Sequence, residues 1–535
     1  MTIMPDKKTK YIFVTGGVIS SLGKGVVSSS IGCLLKSCGY SVSMIKIDPY
    51  LNVDAGTMRP TEHGEVFVTK DGLEADQDLG TYERFLHQDM TKHSSMTSGS
   101  VYQTVIQNER SLKYDGKCVQ LMNQIPREIL RRLKVFDTDF VIVEIGGTVG
   151  DYENIPFIEA VKLLKRTHQV RLMHVVYLLF PDHVGELKTK PAQHSVKALN
   201  SLGLTLDFLV GRSKVKIDDV RLEKLSLFCG AEPQNILSCP NASSIYDVPR
   251  ILEEQDISTK LQKSFGLKPK KAKLVFKDYV RGEEKKEIKI GIVGKYFATG
   301  DHSLADSYVS VIEAVNHACK KEKVKGQIIF VQSSEDINVH DLDAVIVPGG
   351  FGSSGIKGKL DAIKFCRKNK TPFLGLCYGM QLSVVEHAQN VLGWKANTSE
   401  IDPKTPKPVI TLLENQKPVM NKKDYGGSMR LGEQEIILKP TSQAKSLYGK
   451  KVVSERHRHR FEVNPDYLDD LFIKGLSVSG FNKEGLVEVI ERTDHPYFLG
   501  IQGHPEFKSR PLNPHPLFLG LVKAAVTFKN IKSSN

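Results

Sequence analysis

No stretch of this chain is apolar enough to cross a bilayer. The most suspicious run, Val175-Val-Tyr-Leu-Leu-Phe180, has only a strand's length. The first residues, Met1-Thr-Ile-Met-Pro-Asp-Lys-Lys8, lack the long apolar core of a secretory signal. Eight cysteines are scattered through 535 residues without a C-x-x-C pair or tight His/Cys spacing, which excludes a disulfide framework and a zinc-finger site. These absences predict a cytoplasmic protein. Aromatic residues are sparse at 8%, and the net charge of +13 is dispersed, with no RNA- or DNA-binding motif. Polyanionic small substrates account for that excess of Lys and Arg, so neither a nucleic-acid nor a membrane partner is expected. Low-complexity tracts are lacking too, and 535 residues exceed what one core usually holds, so at least two globular domains are expected.

Two clusters carry chemistry. Cys377 sits in Gly375-Leu-Cys377-Tyr378-Gly379-Met-Gln381, after the apolar Pro372-Phe-Leu374, and His504-Pro-Glu506 follows 127 residues later. A glycine two residues either side of the thiol permits a cramped strand-to-helix turn that lifts a nucleophile into solvent. A thiol needs an imidazole to become a thiolate, and the imidazole needs a carboxylate to fix its tautomer. Cys377, His504 and Glu506 fit those three parts; a structural cysteine between helix-packing glycines is the competing reading.

Near the start, Tyr11-Ile-Phe-Val-Thr15 flows into Gly16-Gly-Val-Ile-Ser20-Ser21-Leu22-Gly23-Lys24-Gly25, and a helical stretch begins near Val26. Strand, Gly-rich loop, lysine and helix is the layout that wraps backbone N–H groups around a triphosphate. The match to G-x-x-x-x-G-K-[ST] is imperfect, because Gly25 stands where a hydroxyl would ligate Mg²⁺. Carboxylates elsewhere must then hold the metal. Asp76-Gln-Asp78 and Glu144, ending the apolar Phe140-Val-Ile-Val143, are the candidates.

The charged stretch from Lys268-Pro-Lys-Lys-Ala-Lys273 to Gly282-Glu-Glu-Lys-Lys-Glu287 reads as a solvated connector. Strands expected at Ser43–Ile47, Phe140–Glu144 and Met173–Leu179 precede it. Others, at Gln327–Val331, Ala344–Val347 and Phe373–Gly375, follow. Helical stretches alternate with them, which predicts an α/β protein of two doubly wound parallel-sheet domains, at 1–267 and 288–535 with a linker at 268–287.

Along its whole length the chain resembles the CTP synthases. The resemblance is carried by Tyr11–Gly25, Lys46-Ile-Asp48-Pro-Tyr-Leu-Asn-Val-Asp54-Ala-Gly-Thr-Met58, His63-Gly-Glu-Val-Phe-Val-Thr69, Asp78-Leu-Gly-Thr-Tyr-Glu-Arg-Phe85, Val143–Asp151 and Lys188-Thr-Lys-Pro-Ala-Gln-His-Ser195. The Cys377 elbow, Glu455-Arg-His-Arg-His-Arg460 and His504–Phe507 complete it. It implies a variant P-loop amidoligase domain followed by a class I glutamine amidotransferase domain. By this resemblance ATP phosphorylates O4 of UTP, and ammonia released from glutamine displaces the phosphate to give CTP. ATP falls to Ser21, Leu22, Gly23, Lys24, Gly25, Val26, Lys46 and Asp78, and Mg²⁺ to Asp78 and Glu144. UTP or the product CTP falls to Ser20, Asp151, Glu153, Lys188, Lys190, Gln193 and Lys224, with Glu159 nearby. Glutamine falls to Gly350 and Tyr378 at the oxyanion, Gln381, Glu400 for its amino group and Arg460 for its carboxylate. Without the resemblance, Glu455–Arg460 reads as an exposed basic strand. GTP as activator, CTP as inhibitor and a homotetramer are also implied.

Two positions depart from the pattern of many bacterial relatives: Val309 stands in place of a lysine and Ser354 in place of an arginine, in the region associated with GTP. An altered GTP response is the expectation, with Lys357 compensating in part. A corrinoid amidoligase with a similar P-loop is the nearest competing enzyme, and a filament-forming scaffold the competing non-enzyme. The Lys188–Ser195 block and the synthase-first order disfavour the former, and the full set of site residues disfavours the latter.

Overall fold

The computed structural model describes residues 9–19, 21–282, 284, 286–295, 298–299, 302–303, 305–334, 337–412, 416 and 426–534. They form two compact units. The first holds the chain to Asp54 and Thr81–Arg281; the second holds Ala55–Gly80 and Gly282 onward. The excursion Ala55–Gly80, which lies inside the first expected domain, therefore groups with the second unit.

The first unit is built on a seven-stranded sheet: β1 (Lys10–Gly17), β2 (Val42–Asp48), β3 (Ser95–Thr97), β4 (Phe140–Ile145), β5 (Val170–Tyr177), β6 (Phe208–Ser213) and β7 (Ile236–Pro240). Their spatial order is β3-β2-β4-β1-β5-β6-β7, and every pairing is parallel. Residues 11–17 are all buried, as a near-continuous apolar run must be when helices cover both faces. One core layer joins Phe13, Ile45, Val143, Phe157 and Leu172. β1 is followed in sequence by α1 (Lys24–Ser37) and β2, yet in space lies between β4 and β5. Its carboxyl end is thus a point where the winding reverses, the place where open α/β sheets leave a crevice. Later helices α2 (Lys190–Ser201) and α3 (Asp219–Cys229) carry other expected site residues.

The stretch from 268 was expected to be solvated throughout. Instead Phe276 is buried, 5.6 Å from Phe85 and 5.2 Å from Tyr246 between ring centroids. One aromatic side chain amid lysines anchors the stretch to the first unit, which composition averaging hides.

The second unit contains a nine-stranded sheet: β8 (Lys286–Gly294), β9 (Val324–Gln332), β10 (Ala344–Val347), β11 (Phe373–Leu376), β12 (Arg430–Leu438), β13 (Val452–His459), β14 (Leu476–Phe481), β15 (Val487–Arg492) and β16 (Phe498–Ile501). The order is β9-β8-β10-β11-β16-β15-β14-β12-β13. β9 through β16 pair in parallel; the remaining four pairings are antiparallel. The strands read from the sequence all fall in the parallel half, where β16 was not among them. The helices that matter for the site are α4 (Val309–Lys321), α5 (Ile356–Asn369), α6 (Tyr378–Asn390) and α7 (Pro516–Ser534).

Candidate active sites

In the second unit, β11 runs into α6 through Cys377, whose φ of 49° and ψ of −102° are rare for a residue with a side chain. Close packing enforces this turn. A Cβ on Gly375 would lie 2.8 Å from the backbone of Gly379, and one on Gly379 only 2.0 Å from the Val347 carbonyl oxygen. Both glycines flanking the thiol are therefore needed for the elbow. The Cys377 side chain is buried, with the Gln502 amide nitrogen 3.8 Å from Sγ and the Arg458 carbonyl oxygen also at 3.8 Å.

His504 reaches the same place from the end of β16. Its Nδ1 lies 2.7 Å from Glu506 Oε1, and the Phe507 ring stacks on the imidazole at 5.1 Å and 14°. Burial works against the charged imidazole, but the Glu506 carboxylate and the Cys377 sulfur outweigh it and raise its pKa to about 10. Such an imidazole is protonated at neutral pH beside the Cys377 sulfur, and a thiol next to a charged imidazole is a pairing suited to attack on a carboxamide. A Cβ on Gly349 would meet His504 Cε1 at 2.7 Å, so the Pro348–Gly352 loop approaches the base closely. Cys377, His504, Glu506 and Gly350 line one cavity of about 280 Å³, together with Gly349 and Arg458.

The other residues expected at glutamine are engaged with protein. Glu400 Oε1 accepts from the Gly352 N–H at 2.7 Å. Burial raises the Glu400 pKa, against the Gly352 amide, Lys295 and Lys359. The Tyr378 hydroxyl donates to the Gly352 carbonyl at 3.0 Å. Gln381 donates to the Phe461 carbonyl at 2.8 Å, and Arg460 to Gln416 at 2.6 Å and Ser428 at 3.1 Å. None of these four lines the cavity.

The Glu455–Arg460 strand is not the exposed basic face that its charges suggest. Glu455, Arg456, His457, His459 and Arg460 are all buried. Alternation holds, but both faces find partners. Arg456 donates to the Val68 carbonyl at 3.1 Å and lies over Phe67, while Arg458 pairs with Glu74 at 2.7 Å and also donates to the Gly56 carbonyl. His457, on the other face, lies 2.7 Å from Glu488. Sequence reading missed the Glu74–Arg458 pair because its members are 384 residues apart. It also missed Gln502 at the thiol and the buried Lys359. The Phe507 ring, next to Glu506 in a quoted motif, was the one local clue.

In the first unit, Lys24 opens α1 directly after the glycine-rich loop. Gly23 has φ 92°, and Val18 and Ser21 also take positive φ, left-handed conformations of the kind from which anion-binding backbone nests are built. Lys24 is buried and donates from Nζ to the Gly147 carbonyl at 2.7 Å. A Cβ on Gly16 would strike the Lys24 side chain at 2.7 Å, and one on Gly17 would fall 1.5 Å from Ser195 Oγ. Lys46, near the end of β2, pairs with Asp48 at 3.0 Å, both buried. Glu144, near the end of β4, accepts from the Tyr82 hydroxyl. Ser21 is exposed, Leu22 and Gly25 are buried, and Gly23 and Val26 half-buried, all in or beside the loop.

Among the residues expected at UTP, Asp151 caps the turn after β4, accepting from the Thr148 N–H at 2.7 Å and hydroxyl at 2.8 Å. Lys188 pairs with Glu186, and Gln193 donates to Thr189 at 3.1 Å. Glu153, Lys190 and Lys224 are exposed, the last two on α2 and α3, and Glu159 pairs with Lys162. Ser20 lies outside the described residues. Asp78 is described with the second unit, where its N–H donates to Asp76 Oδ1 at 2.8 Å as it opens the helix Asp78–Leu86.

Among the described residues, no three His, Cys, Asp or Glu side chains form a ready-made metal cage. Mg²⁺ carried on a nucleotide takes one or two carboxylates from the protein and fills its remaining positions with phosphate oxygens and water. No helix among the described residues is long and apolar enough to cross a membrane.

Comparison with known proteins matches both halves. A family model described as CTP synthase N-terminus covers residues 10–267, and one described as glutamine amidotransferase class-I covers 303–524. The CTP synthase of Sulfolobus acidocaldarius is 49% identical across 97% of this chain and 99% of its own length. That of Prochlorococcus marinus is 47% identical across 98% and 100%. A solved Trypanosoma brucei CTPS glutaminase domain with bound acivicin is 32% identical, covering 45% of this chain and 94% of its own, with a TM-score of 0.41. With near-half identity maintained from end to end, this chain belongs to the CTP synthase family.

Proposed function

We propose that this glutamine-hydrolysing, ATP-dependent ligase makes CTP from UTP with Cys377, His504 and Glu506 as its nitrogen-releasing triad. The observation that carries this reading is the strained Cys377 turn facing the His504–Glu506 pair in one cavity. Cys377 Sγ attacks the carboxamide carbon of glutamine, and the oxyanion is met by the N–H groups of Gly350 and Tyr378. His504 gives its proton to the leaving ammonia, then takes one from the water that cleaves the thioester to glutamate. Glu506 holds the imidazole through Nδ1. Glu400 and Arg460 read the amino and carboxylate ends of glutamine, and Gln381 supports that pocket.

The first unit supplies Lys24 and the loop amides of Ser21–Val26 for the ATP phosphates, with Lys46 beside the transferring phosphoryl. Lys24 leaves the Gly147 carbonyl to reach them. Asp151, Glu153, Lys188, Lys190, Gln193 and Lys224, with Ser20, are assigned to UTP. Glu144 and Asp78 are each proposed as Mg²⁺ ligands; the ion, when bound, neutralises charge on the phosphates. The γ-phosphoryl passes to O4 of UTP, leaving ADP. Ammonia then adds at C4 and inorganic phosphate departs.

GTP activation, inhibition by CTP, a homotetramer and a cytoplasmic location belong to the same proposal. The test measures CTP from UTP, ATP and Mg²⁺ with glutamine or with an ammonium salt. Cys377→Ala should lose the glutamine-driven rate and keep the ammonium-driven one. Lys24→Ala should lose both while retaining glutamine hydrolysis. A folded Cys377→Ala protein that still makes CTP from glutamine at the wild-type rate refutes the assignment.

A further inference from the structure

Lys359 lies in the first turns of α5 and is fully buried. Its Nζ has no hydrogen-bond partner among the described residues. An unpartnered buried amine costs stability, so a chain that keeps one obtains something for it elsewhere. Its surroundings show where. Nζ lies 5.3 Å from the centroid of the Tyr378 ring, directly after the nucleophile, and 3.5 Å from where a Cβ on Gly350 would stand. The loop containing Gly350 is pinned further along by three side chains. Lys295 donates to the Phe351 carbonyl, Glu400 accepts from the Gly352 N–H, and Tyr378 donates to the Gly352 carbonyl. Among the described residues, no hydrogen bond fixes the preceding peptide, which joins Gly349 to Gly350.

In a trans peptide the carbonyl and the N–H point in opposite directions. When the Gly350 N–H turns toward an oxyanion at Cys377, the Gly349 carbonyl turns away and needs a donor of its own. We propose that Lys359 is a positioning residue of the glutaminase, its amine receiving the Gly349 carbonyl and so holding the Gly350 N–H on the oxyanion. This deepens the reading of Cys377 as nucleophile and rests on it. Two glycines in succession leave the peptide free to rotate, so the donor behind it sets the fraction of molecules with the N–H facing in.

The test compares wild type with Lys359→Met and Lys359→Gln, the former without a donor and the latter with an amide N–H. Losing an oxyanion donor outright costs about 10²–10³ in kcat; losing the group that orients one is expected to cost about tenfold. For Lys359→Met, kcat for glutamine hydrolysis should fall about tenfold, KM should stay within about twofold, and Tm should rise. Those two directions together separate this role from a packing role, in which Tm falls with activity. Alkylation of Cys377 by iodoacetamide, which forms no oxyanion, should proceed at the wild-type rate in both variants when measured at about pH 9, where the Lys359 amine carries no charge to bias the sulfur. That rate also distinguishes failure here from failure of the nucleophile itself, since an unreactive Cys377 in wild type would refute the triad and not Lys359. Lys359→Gln should recover part of the lost kcat and serves as the folding-competent variant should the Met protein aggregate. An unchanged kcat in a folded Met or Gln variant, equal losses in both, or alkylation slowed in step with kcat would each overturn the proposal.

Discussion

Replacing Glu506 by Gln keeps the shape of the side chain and removes its charge, so it isolates what the carboxylate does for His504. The imidazole's pKa stands at about 10 against 6.5 in the absence of its surroundings, with burial opposing the rise and Glu506 and Cys377 driving it. At 1.36 kcal/mol per pH unit the difference is worth about 5 kcal/mol. If Glu506 supplies half, its loss weakens the imidazolium by about 2.5 kcal/mol, a factor of about 70. The amide also binds Nδ1 with either its oxygen or its nitrogen, so the tautomer is no longer fixed; in a serine triad the analogous change costs about 10⁴. Glutamine hydrolysis by Glu506→Gln should therefore fall at least 50-fold and at most about 10⁴-fold. The ammonium-driven rate of CTP formation, measured on the same preparation, should not change. A loss below tenfold in a folded variant would refute the argument that the carboxylate holds His504 charged and oriented.

Three further outcomes follow from particular contacts. Gly349→Ala places a Cβ 2.7 Å from His504 Cε1 and should cut glutamine hydrolysis about 100-fold through displacement of the ring. Gly350→Ala, whose Cβ has 3.5 Å of room at Lys359, should cost less, and the reverse ranking would contradict the geometry. Glu74→Gln breaks an ion pair whose acidic side chain is 0% exposed, leaving Arg458 uncompensated. Scanning calorimetry should show a loss of about 3 kcal/mol, or roughly 6 °C, and no loss would place the pair among those worth nothing. Restoring positive charge with Val309→Lys and Ser354→Arg together should strengthen stimulation of glutamine hydrolysis by GTP; an unchanged activation curve would show that these positions do not set it.

The parts legible in the sequence were those written in a few adjacent residues. β1 and the loop to Lys24 announce themselves because a doubly buried strand is apolar throughout and its following turn needs glycine. Cys377 was legible for the same reason, since its elbow demands Gly375 and Gly379. What escaped reading depends on contacts between distant segments. Lys359 lies in Lys357-Gly-Lys-Leu360, which looks like any solvated first turn, yet one of those two lysines is wholly buried. Arg458 read as part of an exposed basic strand, nothing in the sequence marked Glu74 as its partner, and only folding shows that Ala55–Gly80 groups with the second unit. The antiparallel half of the second sheet was missed because β12 and β13 are rich in charge. Their ion pairs, such as Arg430 with Glu462 and Glu488 at 2.8 Å each, are what make burial of those charges tolerable.

His504 and Lys359 act on stability with opposite sign over one pH range. His504 has its folded pKa raised to about 10, so its contribution is complete below 6.5 and is lost as pH rises through 10. Lys359 has its folded pKa lowered from 10.5 to about 7, by burial first and then by Lys295, against Cys377 and Glu400. The unfolded chain holds that proton between pH 7 and 10.5 and the folded chain does not, so stability falls as pH drops through this window. The two slopes oppose each other between about 7 and 10, and a wild-type stability profile there is flatter than either group alone would give. Lys359→Met removes one slope and exposes the other: its gain over wild type should be greatest at pH 7 and below and vanish near pH 10.5. The two groups share one electrostatic neighbour, Cys377, which favours the charged form of each, while Glu400 does so for Lys359 alone and Glu506 for His504 alone.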